Sequence, residues 1–116
     1  MYYFYFSIKK LNICYIIEMY IQLKKSTKED KRYTAIFFDE NRKKIKTVHF
    51  GLKNGSTYID HKDDDIKDAW VARHSVNGDF TSPDTASSLA YHLLWNKTSL
   101  SASYNAYLKK FNLKKY

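Results

Sequence analysis

One cysteine, one proline and three glycines are all that the 116 residues contain, and each scarcity removes a class of protein. With Cys14 alone, no disulfide can form within the chain, which excludes the stapled frameworks on which small extracellular domains usually depend. So little proline and glycine excludes collagen-like, elastic and low-complexity linker sequences. No run of about 20 uninterrupted apolar residues is present to cross a bilayer as a helix. The most apolar stretch, residues 1–18, has 13 hydrophobic side chains, but Lys9, Lys10 and Asn12 interrupt it. It also lacks the order of a secretory signal, in which basic residues precede the apolar run and small residues close it.

What is abundant is aromatic and basic. Tyrosine occurs 11 times and phenylalanine seven, within a hydrophobic content of 44% and a charged content of 28%. That balance suits a folded chain, and the length suits one core-bearing domain but not two. Twenty lysines and arginines against 12 acids give a net charge of +8. The excess is uneven. Residues 19–56 carry ten basic and four acidic side chains, residues 57–86 three and seven, and residues 87–116 five lysines and no acid. Two basic blocks around an acidic middle can attract a polyanion through counterion release, or dock on an acidic protein face.

The hydrophobic pattern assigns the elements. Tyr33 to Phe38 is rich in aromatic and β-branched residues and reads as a strand. Asp39 to Arg42 suits a tight reversal, and Lys43 to Phe50 interleaves polar and apolar positions, so the pair reads as a β-hairpin. Tyr20 to Lys24 supplies an earlier strand. The chain turns over residues 51–56, and Thr57 to Ile59 reads as a short strand. A helix over 62–74 follows, with acids crowding its first turn where they oppose the helix dipole. Ile66, Ala69, Trp70 and Arg73 share one of its faces. Ser82 and Pro83 mark the start of a second helix, 83–95. Leu100, Tyr104, Tyr107, Leu108 and Phe111 define a third, which ends in a lysine-rich tail. Met19 begins a stretch of ordinary composition and is expected to be the functional start of a domain over 19–116. Residues 1–18 are then an extension expected to pack poorly and show little order; an extra strand, an amphipathic helix or an interfacial anchor are the alternatives.

The run YTAIFFDENRKKIKTVHFG (33–51), with YIDHKD (58–63), ARH (72–74), SPDTASSLAYHLLWNK (82–97) and YLKKFNL (107–113), resembles a family of small basic uncharacterised proteins of the nucleocytoplasmic large DNA viruses, the giant viruses of algae and protists. The resemblance covers about 33–113. It implies a viral source and no catalytic residues; the expected setting is intracellular, the host cytoplasm or virus factory, with the virion as a further location. The similar proteins usually have glycine where this chain has Arg42, so Arg42 is strained if the turn needs a positive φ.

Candidate chemistry is sparse. His49, His61, His74 and His92 show no paired spacing of a zinc site, and Asp60, Asp63, Asp64 and Asp65 lack the loop of a calcium site. A nuclease of His61, an acidic cluster and a Mg²⁺ ion has no supporting spacing, and no nucleophile elbow is present. No enzyme, metal or cofactor is expected. The basic hairpin is the stronger feature: Arg42, Lys43, Lys44 and Lys46 project beside Phe37, Phe38 and Phe50, as in ribbons that enter a groove or offer rings to bases. Lys109, Lys110, Lys114 and Lys115 supply a second basic stretch. Trp70, Trp95, Tyr91, Tyr104 and Tyr107 are expected in the core. The expectation is an α+β fold, a hairpin-containing sheet followed by three helices on one face. Its expected role is non-enzymatic binding of DNA or RNA through those eight cations. The rival is a protein–protein adaptor or minor structural, capsid-associated component that docks on an acidic protein surface without touching nucleic acid.

Overall fold

The computed structural model describes residues 4–8 and 13–116, with side chains from Glu18 onward. Strands β1 (Phe4–Ile8) and β2 (Ile13–Ile17) pair antiparallel with each other. The expectation that residues 1–18 pack poorly concerns, up to Ile17, side chains outside the described residues.

From Met19 the chain is α+β, with strands preceding helices. Strands β3 (Met19–Lys25), β4 (Lys31–Phe38) and β5 (Lys44–Leu52) form an antiparallel meander. A short last strand, β6 (Leu113–Lys115), returns to pair parallel with β3, giving the order β5-β4-β3-β6. Alternation along the strands separates two faces. On one, Met19 and Ile21 of β3, Ala35 and Phe37 of β4, Phe50 of β5 and Leu113 of β6 are buried in a common cluster with Leu89, Leu93, Leu94, Tyr107 and Phe111 of the helices. Removing each larger side chain from water stabilises the fold by about 1.5–3 kcal/mol. On the other face lie Tyr20, Ile36 and Phe38, with the polar Thr34 and His49.

The helices depart from the sequence expectation in instructive places. The short strand expected at Thr57 to Ile59 is instead a helical turn, α1 (Tyr58–His61), because Thr57 and Asp60 form a reciprocal capping box. The helix expected over 62–74 is α2 (Asp64–His74). Asp63 caps it by accepting from the Asp65 and Ile66 N–H groups, and none of its residues is buried. The start signal at Ser82 and Pro83 is overridden. Ser82 bonds Asp79, buried Pro83 gives its carbonyl to the Tyr107 hydroxyl at 2.7 Å, and Thr85 becomes the cap by accepting from Ser88 N–H. Helix α3 (Ala86–Leu89) then widens into a π-helical turn, Ala90–Leu94, which buries His92, Leu93 and Leu94. Helix α4 (Leu100–Phe111) is capped by Ser99 and packs through Ser103, Tyr107 and Phe111 at successive turns. Asn112, in the left-handed region at φ 52°, ends it. The expected lysine-rich tail is therefore ordered as β6, because the reversal at Asn112 sets Leu113 into the core beside Met19.

Trp95 and Tyr107 are buried as expected, whereas Trp70, Tyr91 and Tyr104 are only partly so. Among the described residues no helix is long and apolar enough to cross a membrane.

Candidate functional site

The turn between β4 and β5 is built by Asp39. Its carboxylate accepts from the Asn41 and Lys43 N–H groups, both at 2.9 Å, while its backbone carbonyl accepts from Arg42 N–H. This closure places Arg42 at φ 63°, the left-handed region that favours glycine. The side chain this backbone carries lies flat against the sheet face opposite the helices. Its guanidinium carbon is 4.6 Å from the centroid of Tyr20 and 5.5 Å from that of Tyr116. Tyr116 in turn stacks on Phe38 at 3.8 Å, with 15° between the planes, and its N–H donates to the Ile21 carbonyl at 3.0 Å. A cation and three rings from four segments of the chain thus form one surface.

The eight cations singled out from the sequence divide around it. Lys44 stands opposite Phe38 in the ladder and Lys114 opposite Tyr20, so both share the Arg42 face. Lys43 is exposed in the turn. Lys46 does not join them. The pairing steps from Phe37↔Lys46 to Phe38↔Lys44, leaving Ile45 as an extra residue. A bulge of this kind sends two lysines that plain alternation would put together to opposite faces. Lys46 lies on the helix side, 3.5 Å from the Asp84 carboxylate. Lys115, opposite Ile21, also turns to the helix side and sits 5.3 Å from the Tyr104 ring centroid. Lys109 and Lys110 are on the last turn of α4, and Lys110 borders a cleft with Phe80, Tyr91 and His92. Burial, opposed by a bond to the Phe80 carbonyl, keeps the His92 imidazole below its ordinary pKa.

Ion pairs divide the surface further. Lys114 bonds Glu18 at 2.7 Å, and that carboxylate raises the lysine's pKa. Arg32 forms a two-pronged bond to Asp60 at 2.7 and 2.8 Å, which holds the carboxyl well below its usual range. Among the described residues Arg42, Lys43 and Lys44 are in no ion pair.

The sequence reading missed Tyr20 and Tyr116. The sequence alone gives Tyr20 a place in a strand and no role, and Tyr116 gains one only because β6 carries it across the sheet face. The alternation Leu113, Lys114, Lys115, Tyr116 was the available signal, and it was obscured by the two lysines. Among the described residues no group of three or more histidines, cysteines or acids is arranged to hold a metal ion.

A small α+β scaffold with a cation laid across an aromatic sheet face is thus the class of protein in hand. The chain is 32% identical over 83 residues to the uncharacterized protein L851 of Acanthamoeba polyphaga mimivirus, a match that covers 65% of this chain and 80% of that protein. The chain belongs to the family of that giant-virus protein. A family of unknown function, DUF5754, matches residues 21–74, which run from β3 through α2. No solved structure matches.

Proposed function

We propose that this chain is a small basic viral protein that binds nucleic acid without catalysis, through the sheet face centred on Arg42. The observation that carries the reading is the Arg42 guanidinium lying across Tyr20 and Tyr116 beside Lys44. Unpaired cations neutralise phosphates, and the exposed Arg42 guanidinium, backed by Tyr20 and Tyr116, offers a plane on which an unstacked base can rest. That combination favours single-stranded DNA or RNA over a duplex. The setting is intracellular, in the host cytoplasm or virus factory, with incorporation into the virion as part of the same proposal.

Salt dependence of binding tests it. Each phosphate neutralised on a single strand contributes about −0.7 to the slope of log affinity against log salt. The three unpaired cations of the turn then give a slope of about −2, or about a 20-fold loss between 50 and 200 mM salt. Participation of all eight cations would give a slope of about −5.6 and about a 2,000-fold loss. A slope near the first value supports the Arg42 face, and one near the second overturns its boundaries. No shift of labelled single strand, duplex or RNA at low salt rejects nucleic-acid binding. The adaptor or structural reading then replaces it, supported by the exposed acidic helix α2, which carries Asp64, Asp65 and Asp68.

A further inference from the structure

A second surface lies at the other end of the β4–β5 hairpin. There a cleft of about 590 Å³ opens between the start of β4, the end of β5, α2 and the π-helical turn. Its volume falls within the range of small-molecule sites, about 300–1,000 Å³. Gly51 at the end of β5 makes the close approach that forms one wall: at φ 77°, a Cβ there would stand 2.9 Å from Leu94 Cδ1.

The lining has two properties that point to one kind of ligand. The first is a ready-made stack of rings. Trp70 lies against Trp95 at 4.8 Å with 10° between planes, and against His74 at 4.0 Å with 14°. His74 is the exposed member. Its Nδ1 is held 2.8 Å from the Trp70 carbonyl, which fixes the ring and leaves Nε2 for a ligand. The second property is charge. Lys31 and Arg73 line the cleft, and none of the chain's 12 acids does. This holds even though α2, which forms one wall, carries three aspartates in its first five residues. Among the described residues neither Lys31 nor Arg73 is in an ion pair. Leu52 and Ile66 stand exposed at the rim, 66% and 47% accessible, where a bound ring system would cover them.

The geometry points to a nucleoside phosphate as the ligand of this cleft, its base extending the Trp95, Trp70 and His74 stack and its phosphate met by Arg73 and Lys31. The residues are distinct from those of the Arg42 face, so the two sites stand or fall separately. The ligand is either a free nucleotide or the phosphorylated end of a strand.

The chain's two tryptophans both line the cleft, so tryptophan emission excited at the red edge reports on this site. Titration of the full chain with adenosine and cytidine monophosphates should give saturable quenching. Adenosine, cytidine and inorganic phosphate should bind about tenfold or more weakly, because each lacks one half of the recognised chemistry. Arg73→Ala should weaken the nucleotide response about tenfold or more while far-ultraviolet circular dichroism stays unchanged, and Arg42→Ala should leave it intact. A 5′-phosphorylated trinucleotide that binds more tightly than the monophosphate assigns the site to strand ends, and equal binding assigns it to free nucleotides. Absence of saturable quenching, or quenching that Arg73→Ala does not weaken, overturns the assignment.

Discussion

Replacing Arg42 by glycine and by alanine separates what its backbone costs from what its side chain contributes. At φ 63° a residue with a Cβ pays roughly 1–2 kcal/mol that glycine avoids. The guanidinium, 4.6 and 5.5 Å from the centroids of Tyr20 and Tyr116, gains about 0.5–1 kcal/mol from each ring at an exposed site. Arg42→Ala keeps the strained backbone and loses both contacts, so it should destabilise the fold by about 1–2 kcal/mol. Arg42→Gly loses the same contacts but relieves the strain, so its stability should lie within about 1 kcal/mol of the parent and above that of the alanine variant. The difference between the variants, about 1–2 kcal/mol, is a separation in melting temperature of about 4–8 °C for a chain of this size. Nucleic-acid affinity should fall equally in both, since neither has the cation, and the salt slope should become shallower by about 0.7. Thermal denaturation and a salt titration of the three proteins measure every term. An alanine variant as stable as the glycine variant would refute the assigned strain, and full affinity in both would remove Arg42 from the interface.

The remaining predictions concern the scaffold. Asp60→Asn should lower stability at pH 7 by about 1 kcal/mol, a surface-pair value, since the Asp60 side chain is about a third exposed. The carboxyl titrates lower in the folded chain than in the unfolded one, near 3.9. The pair therefore stabilises above that pH and is lost as pH falls below it, so the gap between parent and variant in urea denaturation should narrow between pH 5 and pH 2. A constant gap would show that the pair is not its source. Tyr107→Phe removes a buried hydroxyl and leaves the Pro83 carbonyl without that donor. It should cost about 1–3 kcal/mol in a denaturant midpoint, and an unchanged midpoint would show the bond to be dispensable. Trp95→Ala, at a side chain only 6% exposed, should cost about 3–5 kcal/mol, and an unchanged melting temperature would remove Trp95 from the core.

The hairpin and the α4 stripe were legible because each is specified by local periodicity. Tyr33 to Phe38 alternates so that Ala35 and Phe37 share the buried face of a strand, and of the expected stripe Tyr107 and Phe111 are buried while Leu100, Tyr104 and Leu108 pack partly buried at its edges. Legibility failed where a segment had two competing partners. Ser82 and Pro83 have every feature of a helix start, yet the Tyr107 hydroxyl claims the Pro83 carbonyl from 24 residues away. Thr57 to Ile59 has strand composition, but Asp60 reaches back to the Thr57 N–H at 2.8 Å and winds it into a turn. The candidate site was half legible for a related reason. Arg42, Lys43 and Lys44 could be placed at one hairpin end, whereas the bulge at Ile45 that removes Lys46 depends on the pairing of β4 with β5 and leaves no mark on composition.

Net charge alone does not say which cations an anion could reach, because acids hold three of them. Asp84 holds Lys46, Glu18 holds Lys114 and Asp60 holds Arg32. Each pair occupies a cation close to one of the two candidate surfaces: Lys46 beside the bulge, Lys114 beside Tyr20, and Arg32 next in the chain to Lys31. Among the described residues, the unpaired cations include Arg42, Lys43 and Lys44 at the hairpin turn and Lys31 with Arg73 at its open end, while Lys97, Lys109, Lys110 and Lys115 are unpaired elsewhere. Both ends also carry rings held in place by neighbouring rings, Tyr116 on Phe38 and His74 on Trp70. On the proposed reading both ends offer a cation beside a fixed ring, the pairing that a nucleotide, itself a charge beside a ring, would meet.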